Sequence, residues 1–275
     1  MTPPITDQPA YTFRQGTSPL LISMPHVGTH LPPAIAARLT DEARRVPDTD
    51  WHLERLYDFA DELGASVLAA THSRYVADLN RPPDGSSLYP GQSVTGLCPL
   101  DTFDDTPLYR EPALAPSEEE IALRREAVWQ PYHDKLAAEL ERLRATHGVA
   151  VLWDAHSIRS VLPRFFEGRL PDFNLGTGKG ISCDPAMAQA VHEQARRAEG
   201  YTSVLNGRFT GGYITRHYGQ PARNIHAIQL EMTQASYMQE ALPFDYLPEV
   251  AARVQPPLRR MVQAALDFAL ARRQA

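Results

Sequence analysis

The sequence predicts a three-layer α/β fold, in which helices cover both faces of a mostly parallel or mixed central sheet. Short apolar runs at 19–24, 65–70 and 149–153 have the length and composition of buried strands. Segments with helical periodicity, or loops rich in Pro and Gly, separate these runs along the chain. Strands that alternate with helices in this way are typical of a helix-covered parallel sheet.

Local signals set the bounds of the individual elements. Pro25 ends the first strand, and Gly64 occupies the usual position for closing a helix. Ser117 predicts a helix start because Glu120, three residues later, completes a capping box, and Pro131 should bend or interrupt that helix. In chain order the predicted elements are strand 19–24, helices 34–45 and 50–63, strands 65–70 and 75–79, helix 117–146, strand 149–153, helix 185–199, strands 202–205 and 225–231 and helix 247–272, with long irregular segments at 82–116 and 162–180.

Composition and charge argue against several classes of protein. The 275 residues are 43% hydrophobic and 22% charged with a net charge of −6, and this mild acidity argues against broad binding of nucleic acids or anionic membranes, which select a basic face. Its two cysteines, Cys98 and Cys183, form no CxxC pair and are expected to be reduced thiols. No apolar run approaches the roughly 20 residues of a membrane helix, and no signal peptide is recognised. We expect one cytoplasmic domain over 1–275, as a monomer or a small homo-oligomer.

Polar residues gather where the predicted strands end. In an open sheet of parallel strands, the binding crevice lies outside the carboxyl ends of the strands. Side chains that follow different strands in sequence therefore meet at one edge of the sheet. The residues at these positions are His26, Asn80 with Arg81, Asp154 with His156, and Glu231.

The two histidines at matching strand ends are candidate metal ligands. Alone, either His26 or His156 is as easily explained as a hydrogen-bonded loop histidine. Together they favour a metal site, because catalytic zinc typically takes three protein ligands of histidine and carboxylate type. An aspartate two residues before His156 is placed to orient its imidazole, and aspartates that precede a helix can equally be caps. The candidates for the third ligand are Asp50, Asp48 and His30.

Several arginines in irregular segments indicate a small acidic substrate. Arg81 offers a bidentate fork to a carboxylate, and Asn80 adds a neutral donor, although a surface ion pair explains a lone arginine equally well. Arg208 and Arg216 flank a Gly-Gly-Tyr turn at 211–213, which suits a loop that closes over an anionic ligand.

Glu231, at the end of an apolar strand, is the candidate general base. A carboxylate in this position can accept a proton from an activated water and return it to a leaving amine, or it can simply cap a neighbouring strand. The sequence contains no GxSxG, Walker, GxGxxG or HExxH motif. Serine-hydrolase, nucleotide-binding and thermolysin-like signatures are therefore missing.

Eight segments together resemble the N-formylglutamate amidohydrolase (N-formylglutamate deformylase) family over nearly the whole length of the chain. They occur in the family's order, which makes the resemblance specific. The segments are 23–30 (SMPHVGTH), 48–52 (DTDWH), 73–81 (SRYVADLNR), 88–92 (LYPGQ), 153–157 (WDAHS), 166–172 (FEGRLPD), 211–216 (GGYITR) and 229–232 (QLEM).

The resemblance implies hydrolysis of N-formyl-L-glutamate to formate and L-glutamate, the last step of one histidine-degradation route. It also implies one divalent metal ion, with zinc as the first expectation. The family is distantly similar to zinc carboxypeptidases and aspartoacylases, so the implied fold is zinc-carboxypeptidase-like. Those enzymes hold zinc with a His-x-x-Glu unit and a later histidine, bind the substrate carboxylate with an Asn-Arg pair, and use a strand-end glutamate as base.

By this resemblance the metal ligands are His26 and His156, the pair that binds a substrate carboxylate is Asn80 and Arg81, and the base is Glu231. Arg208 and Arg216 remain candidates for a second carboxylate. Thr29 departs from the pattern, because the related enzymes have their glutamate ligand there. Asp50 is assigned as the third ligand in its place. Two other functions remain open: hydrolysis of another N-acyl acidic amino acid, and non-catalytic binding of acidic metabolites.

Overall fold

The computed structural model describes residues 5–86 and 95–272, and the segment 88–92 of the family resemblance lies outside them. Seven strands form one mixed sheet in the order β1-β3-β2-β4-β7-β5-β6. The four strands β3, β2, β4 and β7 are parallel, β1 and β5 run antiparallel to their neighbours β3 and β7, and β6 is parallel to β5. The strands are β1 (Tyr11–Arg14), β2 (Leu20–Met24), β3 (Ser66–Ala70), β4 (Ala150–Ile158), β5 (Phe173–Gly176), β6 (Ser203–Leu205) and β7 (Ile225–Thr233).

Helices lie on both faces of the sheet. The α-helices are α1 (Pro33–Ala36), α2 (Leu53–Leu56), α3 (Glu118–Arg124), α4 (Gln130–His147), α5 (Pro185–Arg196), α6 (Tyr213–Tyr218) and α7 (Pro248–Arg272). Short 3₁₀ helices cover Ala43–Arg45, Asp58–Ala60, Pro112–Leu114, Pro221–Arg223 and Gln234–Ser236. Within the described ranges, no helix is long and apolar enough to cross a membrane.

Two apolar layers flank the sheet, and alternate residues of β4 point into each. Val151 and Trp153 join the cluster formed with α5 and α7, whereas Ala150 and Leu152 join the cluster formed with α4. This separation follows from the two-residue periodicity of a strand that is buried on both faces. The prediction of a three-layer α/β fold is confirmed.

The face of β4 and β7 that packs towards α4 changes from apolar to polar partway along both strands. On β4, Leu152 is followed on this face by Asp154 and then His156. On β7, Gln229 and Glu231 follow the apolar positions in the same way, and the register pairs Asp154 with Gln229 and His156 with Glu231. All these residues are buried. A polar patch therefore begins inside the sheet, at its carboxyl-terminal edge.

The sequence places Asp154 and His156 after a strand, but they belong to β4 itself, which extends to Ile158. Segment 75–79, predicted as a strand, is a turn. Local hydrogen bonds explain the turn: the Tyr75 amide donates to the Ser73 hydroxyl, and the Asn80 amide donates to the Asp78 carboxylate. Such side-chain acceptors compete with the backbone ladder of a strand.

The helix predicted over 34–45 is also wrong beyond Ala36. There the chain pairs with a neighbouring segment, as the Thr40 amide donates to the Leu108 carbonyl. The helix predicted over 50–63 begins only at Leu53, because His52 adopts a left-handed conformation, and non-helical Tyr57 separates α2 from the 3₁₀ turn Asp58–Ala60. Strands β1 and β5 and helix α6 were not predicted.

The helix start at Ser117 and the interruption of the helix were predicted correctly, but the Glu120 carboxylate pairs with Arg38 and Arg124 instead of completing the capping box. The Glu120 amide donates to the Ser117 hydroxyl at the start of α3. A π-helical turn, Arg125–Trp129, joins α3 to α4 directly before Pro131. Because proline has no amide hydrogen to continue the helix, a local change of hydrogen-bond register at this point is expected. Gly148 ends α4 in the left-handed conformation.

Candidate active site and metal centre

A cavity of about 70 Å³ lies at the carboxyl-terminal edge of β2, β4 and β7. The predicted site residues converge on it from loops and strands that are remote in sequence. Of the residues predicted to have a function, those that line the cavity are His26, Asp50, Asn80, Arg81, His156, Arg208 and Glu231.

His26, Asp50 and His156 lie together at the base of the cavity. Each offers one ligand atom, these three atoms lie within 4.8 Å of one another, and all three side chains are buried. The Asp50 Oδ2 atom is 3.2 Å from His156 Nδ1 and 3.7 Å from His26 Nδ1. The Asp50 amide donates to the His26 carbonyl, which fastens the loop that carries Asp50 to the end of β2.

The Nε2 atom of each histidine, on the side of the ring away from Asp50, lies near another carboxylate. His26 Nε2 is 2.8 Å from Asp78 Oδ1, and His156 Nε2 is 3.2 Å from Asp154 Oδ1. Both carboxylates are fully buried. A carboxylate on the far ring nitrogen is the usual partner of a metal-binding histidine, because it fixes the tautomer and the orientation of the ring.

The electrostatic surroundings differ between the two histidines. Burial and the neighbouring Arg74 guanidinium lower the pKa of His26, so its imidazole is neutral at pH 7. Burial alone would lower the pKa of His156 as well, but the carboxylates of Asp154 and Asp50 raise it well above its usual value. The same carboxylates that stabilise a proton on His156 would stabilise a bound metal ion, which displaces that proton.

The other two candidates for the third ligand lie elsewhere. The Asp48 carboxylate accepts hydrogen bonds from the Tyr75 hydroxyl at 2.5 Å and from the Phe103 amide at 2.8 Å. His30 Nε2 is 2.7 Å from Asp7 Oδ1, and its side chain is outside the cavity. Of the three candidates, Asp50 has the position that a third ligand requires.

Three arginines line the cavity, and the sequence predicted no role for one of them, Arg74. Arg74 is 6% exposed, its Nη2 donates to Asp78 Oδ2 at 2.6 Å, and its guanidinium lies over the Phe103 ring. Its Nη1 is 3.4 Å from His26 Nδ1, and its buried Nε has no hydrogen-bond partner. Arg74 immediately precedes segment 75–79, which was predicted to be a strand, so the sequence gave no indication that Arg74 reaches the cavity. The turn that this segment forms brings Arg74 there.

The other two arginines that line the cavity, Arg81 and Arg208, donate hydrogen bonds to backbone carbonyls. Arg81 Nε donates to the Thr95 carbonyl, and Arg208 Nε donates to the Phe165 carbonyl at 2.6 Å. Arg216 was also predicted to bind substrate, but it does not line the cavity. Its guanidinium donates to Gly211 and Thr210 and so holds the turn before α6.

Asn80 is fixed between that turn and His156. Its Oδ1 accepts a hydrogen bond from the Ile214 amide at 2.8 Å, and its Nδ2 lies 3.0 Å from His156 Nε2. A Cβ atom on Gly212 would come within 2.3 Å of the Asn80 amide. Glycine at 212 is therefore required for the close approach of the turn to Asn80.

Glu231 is buried at the cavity, opposite His156 in the register of β4 and β7. Burial raises the pKa of its carboxyl to about 8. A carboxyl group with a pKa near the working pH can both accept and release a proton during a reaction.

Comparison with known proteins identifies the family. Residues 18–238 match the model of the N-formylglutamate amidohydrolase family. The chain is 56% identical to the N-formylglutamate deformylase of Pseudomonas aeruginosa, covering 94% of this chain and 96% of that one. It is 54% identical to the N-formylglutamate deformylase of Pseudomonas putida, covering 96% and 98%. A crystal structure of N-formylglutamate amidohydrolase from Ralstonia eutropha JMP134 superposes with a TM-score of 0.78 at 25% identity, covering 97% of this chain and 99% of that one. The chain belongs to the N-formylglutamate amidohydrolase family.

Proposed function

We propose that this chain is a metal-dependent hydrolase that cleaves N-formyl-L-glutamate to formate and L-glutamate. The observation that carries the proposal is one cavity that combines a buried carboxyl group, a possible metal-binding triad and three arginines. The printed names of the Pseudomonas relatives support the same substrate. The resemblance further implies a step of histidine degradation, and a cytoplasmic location remains a prediction.

The residues His26, Asp50 and His156 fit a divalent metal ion, for which we propose zinc. Two imidazoles and one carboxylate are a usual ligand set for catalytic zinc. His26 Nε2 also has the carboxylate hydrogen bond, to Asp78, that such a ligand usually makes, and the Asp154 carboxylate lies 3.2 Å from His156 Nε2. When bound, the ion would polarise the formyl carbonyl and lower the pKa of the attacking water.

Glu231 is proposed as the residue that moves the proton. Its carboxylate accepts a proton from water as the water oxygen bonds to the formyl carbon. The C–N bond then breaks, and Glu231 delivers the same proton to the departing amino nitrogen of glutamate. The second proton of the water leaves the new formic acid as the amine becomes protonated to ammonium, so formate and glutamate are released and Glu231 is again a carboxylate. Because the site is buried, the proton is retained between the two steps.

The cationic residues are proposed to bind negative charge in two different places. Arg74 lines the cavity beside His26 and has a buried Nε without a hydrogen-bond partner, and we propose that its guanidinium donates to the oxygen that becomes negative in the tetrahedral intermediate. Asn80, Arg81 and Arg208 are proposed to bind the two carboxylates of the substrate. Arg216 is assigned no contact with substrate, because it holds the turn at 210–211.

The Glu231→Gln variant tests the reaction. The amide is nearly isosteric but cannot accept the proton, so we expect kcat to fall by roughly 10²–10⁴-fold while metal content is unchanged. Formate release from N-formyl-L-glutamate measures kcat, and elemental analysis measures the metal. Glu62→Gln, a change at an exposed carboxylate, is the matched control. Normal turnover in Glu231→Gln would exclude this base.

A substrate panel separates the proposal from its alternatives. N-acetyl-L-glutamate and N-formyl-L-aspartate should be poorer substrates than N-formyl-L-glutamate. A preference for the acetyl compound would instead support a different N-acyl amino acid as substrate. Purified protein without a stoichiometric divalent ion, and without turnover of any of these compounds, would support a non-catalytic binding protein.

A further inference from the structure

Gln229 is a buried polar side chain of the cavity for which the proposed reaction has no role. It lies on β7 two residues before Glu231, so both side chains project from the same face of the strand. Its side chain is 4% exposed and lines the cavity. Apolar residues occupy the two earlier positions on this face, Ile225 and Ala227, so burial alone does not call for an amide here.

The orientation of the Gln229 amide is fixed by the backbone. Its Oε1 accepts a hydrogen bond from the Gly212 amide at 2.7 Å. A flipped amide would place its own NH₂ group against that N–H donor, so only one orientation satisfies Gly212. In this orientation Nε2 faces the base and donates to Glu231 Oε2 at 3.3 Å.

We infer that Gln229 is a positioning residue for Glu231, an inference that rests on the proposed function. Its N–H holds Oε2 of the carboxylate, so that Oε1 is the oxygen that receives the proton from water. Without this hydrogen bond the carboxylate can rotate about its terminal torsion, which is broad and weakly restricted in glutamate. A freely rotating carboxylate spends less time in the geometry that proton transfer requires.

The same turn also fixes the residue proposed to bind substrate. Gly212 N–H holds Gln229, and Ile214 N–H, two residues later, holds the Asn80 Oδ1 atom. The segment 212–214 therefore sets the position of the base and of a substrate-binding amide relative to each other. A side-chain amide at 229 is what connects the base to this segment.

The test compares Gln229→Met with Gln255→Met. Methionine has nearly the length of glutamine but neither donates nor accepts a strong hydrogen bond. Gln255 lies on α7, where its amide donates to the Leu56 carbonyl away from the cavity. For Gln229→Met we expect kcat to fall about 10–100-fold, as for other residues that orient a catalytic group, with KM within about twofold and metal content unchanged. Gln255→Met should retain the kcat of the wild type.

A double-mutant cycle distinguishes positioning from direct contact with substrate. If Gln229 acts through Glu231, adding Gln229→Met to Glu231→Gln should lower the residual kcat by less than twofold. Independent, multiplicative losses, or a rise in KM with unchanged kcat, would overturn the inference. If the methionine variant does not fold, Gln229→Asn replaces it: the shorter amide keeps the polarity of the position but cannot span both the Gly212 amide and the Glu231 carboxylate, so kcat should again fall. Unchanged kcat in Gln229→Asn would also overturn the inference.

Crystal structures provide a readout that does not depend on activity. In the Gln229→Met variant, the Glu231 carboxylate should rotate away from its wild-type orientation or occupy two orientations. A single, unmoved carboxylate would contradict the inference even if the protein had no deformylase activity. Absence of formate release by the wild type, with the carboxylate displaced in the variant, would overturn the proposed function and leave the positioning role supported.

Discussion

Gly212→Ala is a single-methyl perturbation whose effect can be worked out from the geometry of the turn. The Cβ atom of alanine would lie 2.3 Å from Asn80 Nδ2 and 2.6 Å from its Cγ, whereas ordinary contact begins at 3.4 Å. Gly212 has φ −84° and ψ −162°, an extended conformation that alanine also adopts. The substitution therefore introduces no backbone strain, and Asn80 or the turn must move by about 1 Å to relieve the overlap.

This displacement should affect catalysis more than folding. A misplacement of about 1 Å at a reacting centre costs on the order of 10²-fold in rate, so kcat/KM should fall about 100-fold. Overpacking of this kind typically costs about 1–3 kcal/mol of unfolding free energy, which urea denaturation measures. Formate release at several substrate concentrations gives kcat/KM.

Gly96→Ala is the matched control, because a Cβ there meets only the Cys98 carbonyl oxygen, at 4.0 Å. This control should have the kcat/KM and the unfolding free energy of the wild type. A Gly212→Ala enzyme with kcat/KM within threefold of the wild type would refute the requirement for close approach between the turn and Asn80.

Three other changes test separate parts of the site and the core. Asp50→Ala should lose most of its bound metal in elemental analysis while His30→Gln retains it, because a ligand atom of Asp50 lies within 4.8 Å of those of both candidate histidines, whereas His30 lies against Asp7 outside the cavity; equal metal content in the two variants would contradict the assignment. Arg74→Lys should lower kcat roughly 10²-fold with little change in KM, since lysine keeps the charge but loses the fork that we propose to contact the oxyanion; a pure KM effect would instead indicate a role in substrate binding. Burial lowers the pKa of His133 to about 3, so the unfolded chain takes up a proton below about pH 6.5 that the folded chain excludes. Stability should therefore fall as the pH falls from 6.5 towards 3, by about 2 kcal/mol at pH 5 for this group, and urea unfolding of His133→Gln should be correspondingly less sensitive to pH.

The sequence predicts the layers of the fold better than it predicts the paths of its loops. Apolar runs identified β2, β3 and β4, because a strand that is buried on both faces needs continuous apolar character up to its polar end. The run at 75–79 carries the same signal but forms a turn, since Ser73 and Asp78 accept backbone hydrogen bonds. Periodicity does not report such competition between side chain and backbone.

Part of the candidate site could be predicted because it depends on the strands and not on the loops. Residues at the carboxyl ends of parallel strands must share one edge of the sheet, so His26, His156 and Glu231 could be grouped from sequence. The partners of these residues could not be predicted, because their positions depend on contacts between distant loops. Arg74 reaches the cavity through the turn, and Gln229 is recognised only by its hydrogen bonds to Gly212 and Glu231.

The loop after β2 also explains why the third candidate ligand does not come from the position three residues after His26. A Cβ atom on Gly28 would lie 2.2 Å from the His72 carbonyl oxygen, so the chain there is pressed against the segment that follows β3. Thr29, the next residue, lines a separate surface depression with Val27 and His30, on the other side of this contact. A glutamate at 29 on this backbone path would project into that depression and not into the cavity. The third candidate ligand must then come from another segment of the chain. The hydrogen bond from the Asp50 amide to the His26 carbonyl holds the segment that carries Asp50 beside His26. The loop conformation that keeps residue 29 outside the cavity thus also holds Asp50 beside His26.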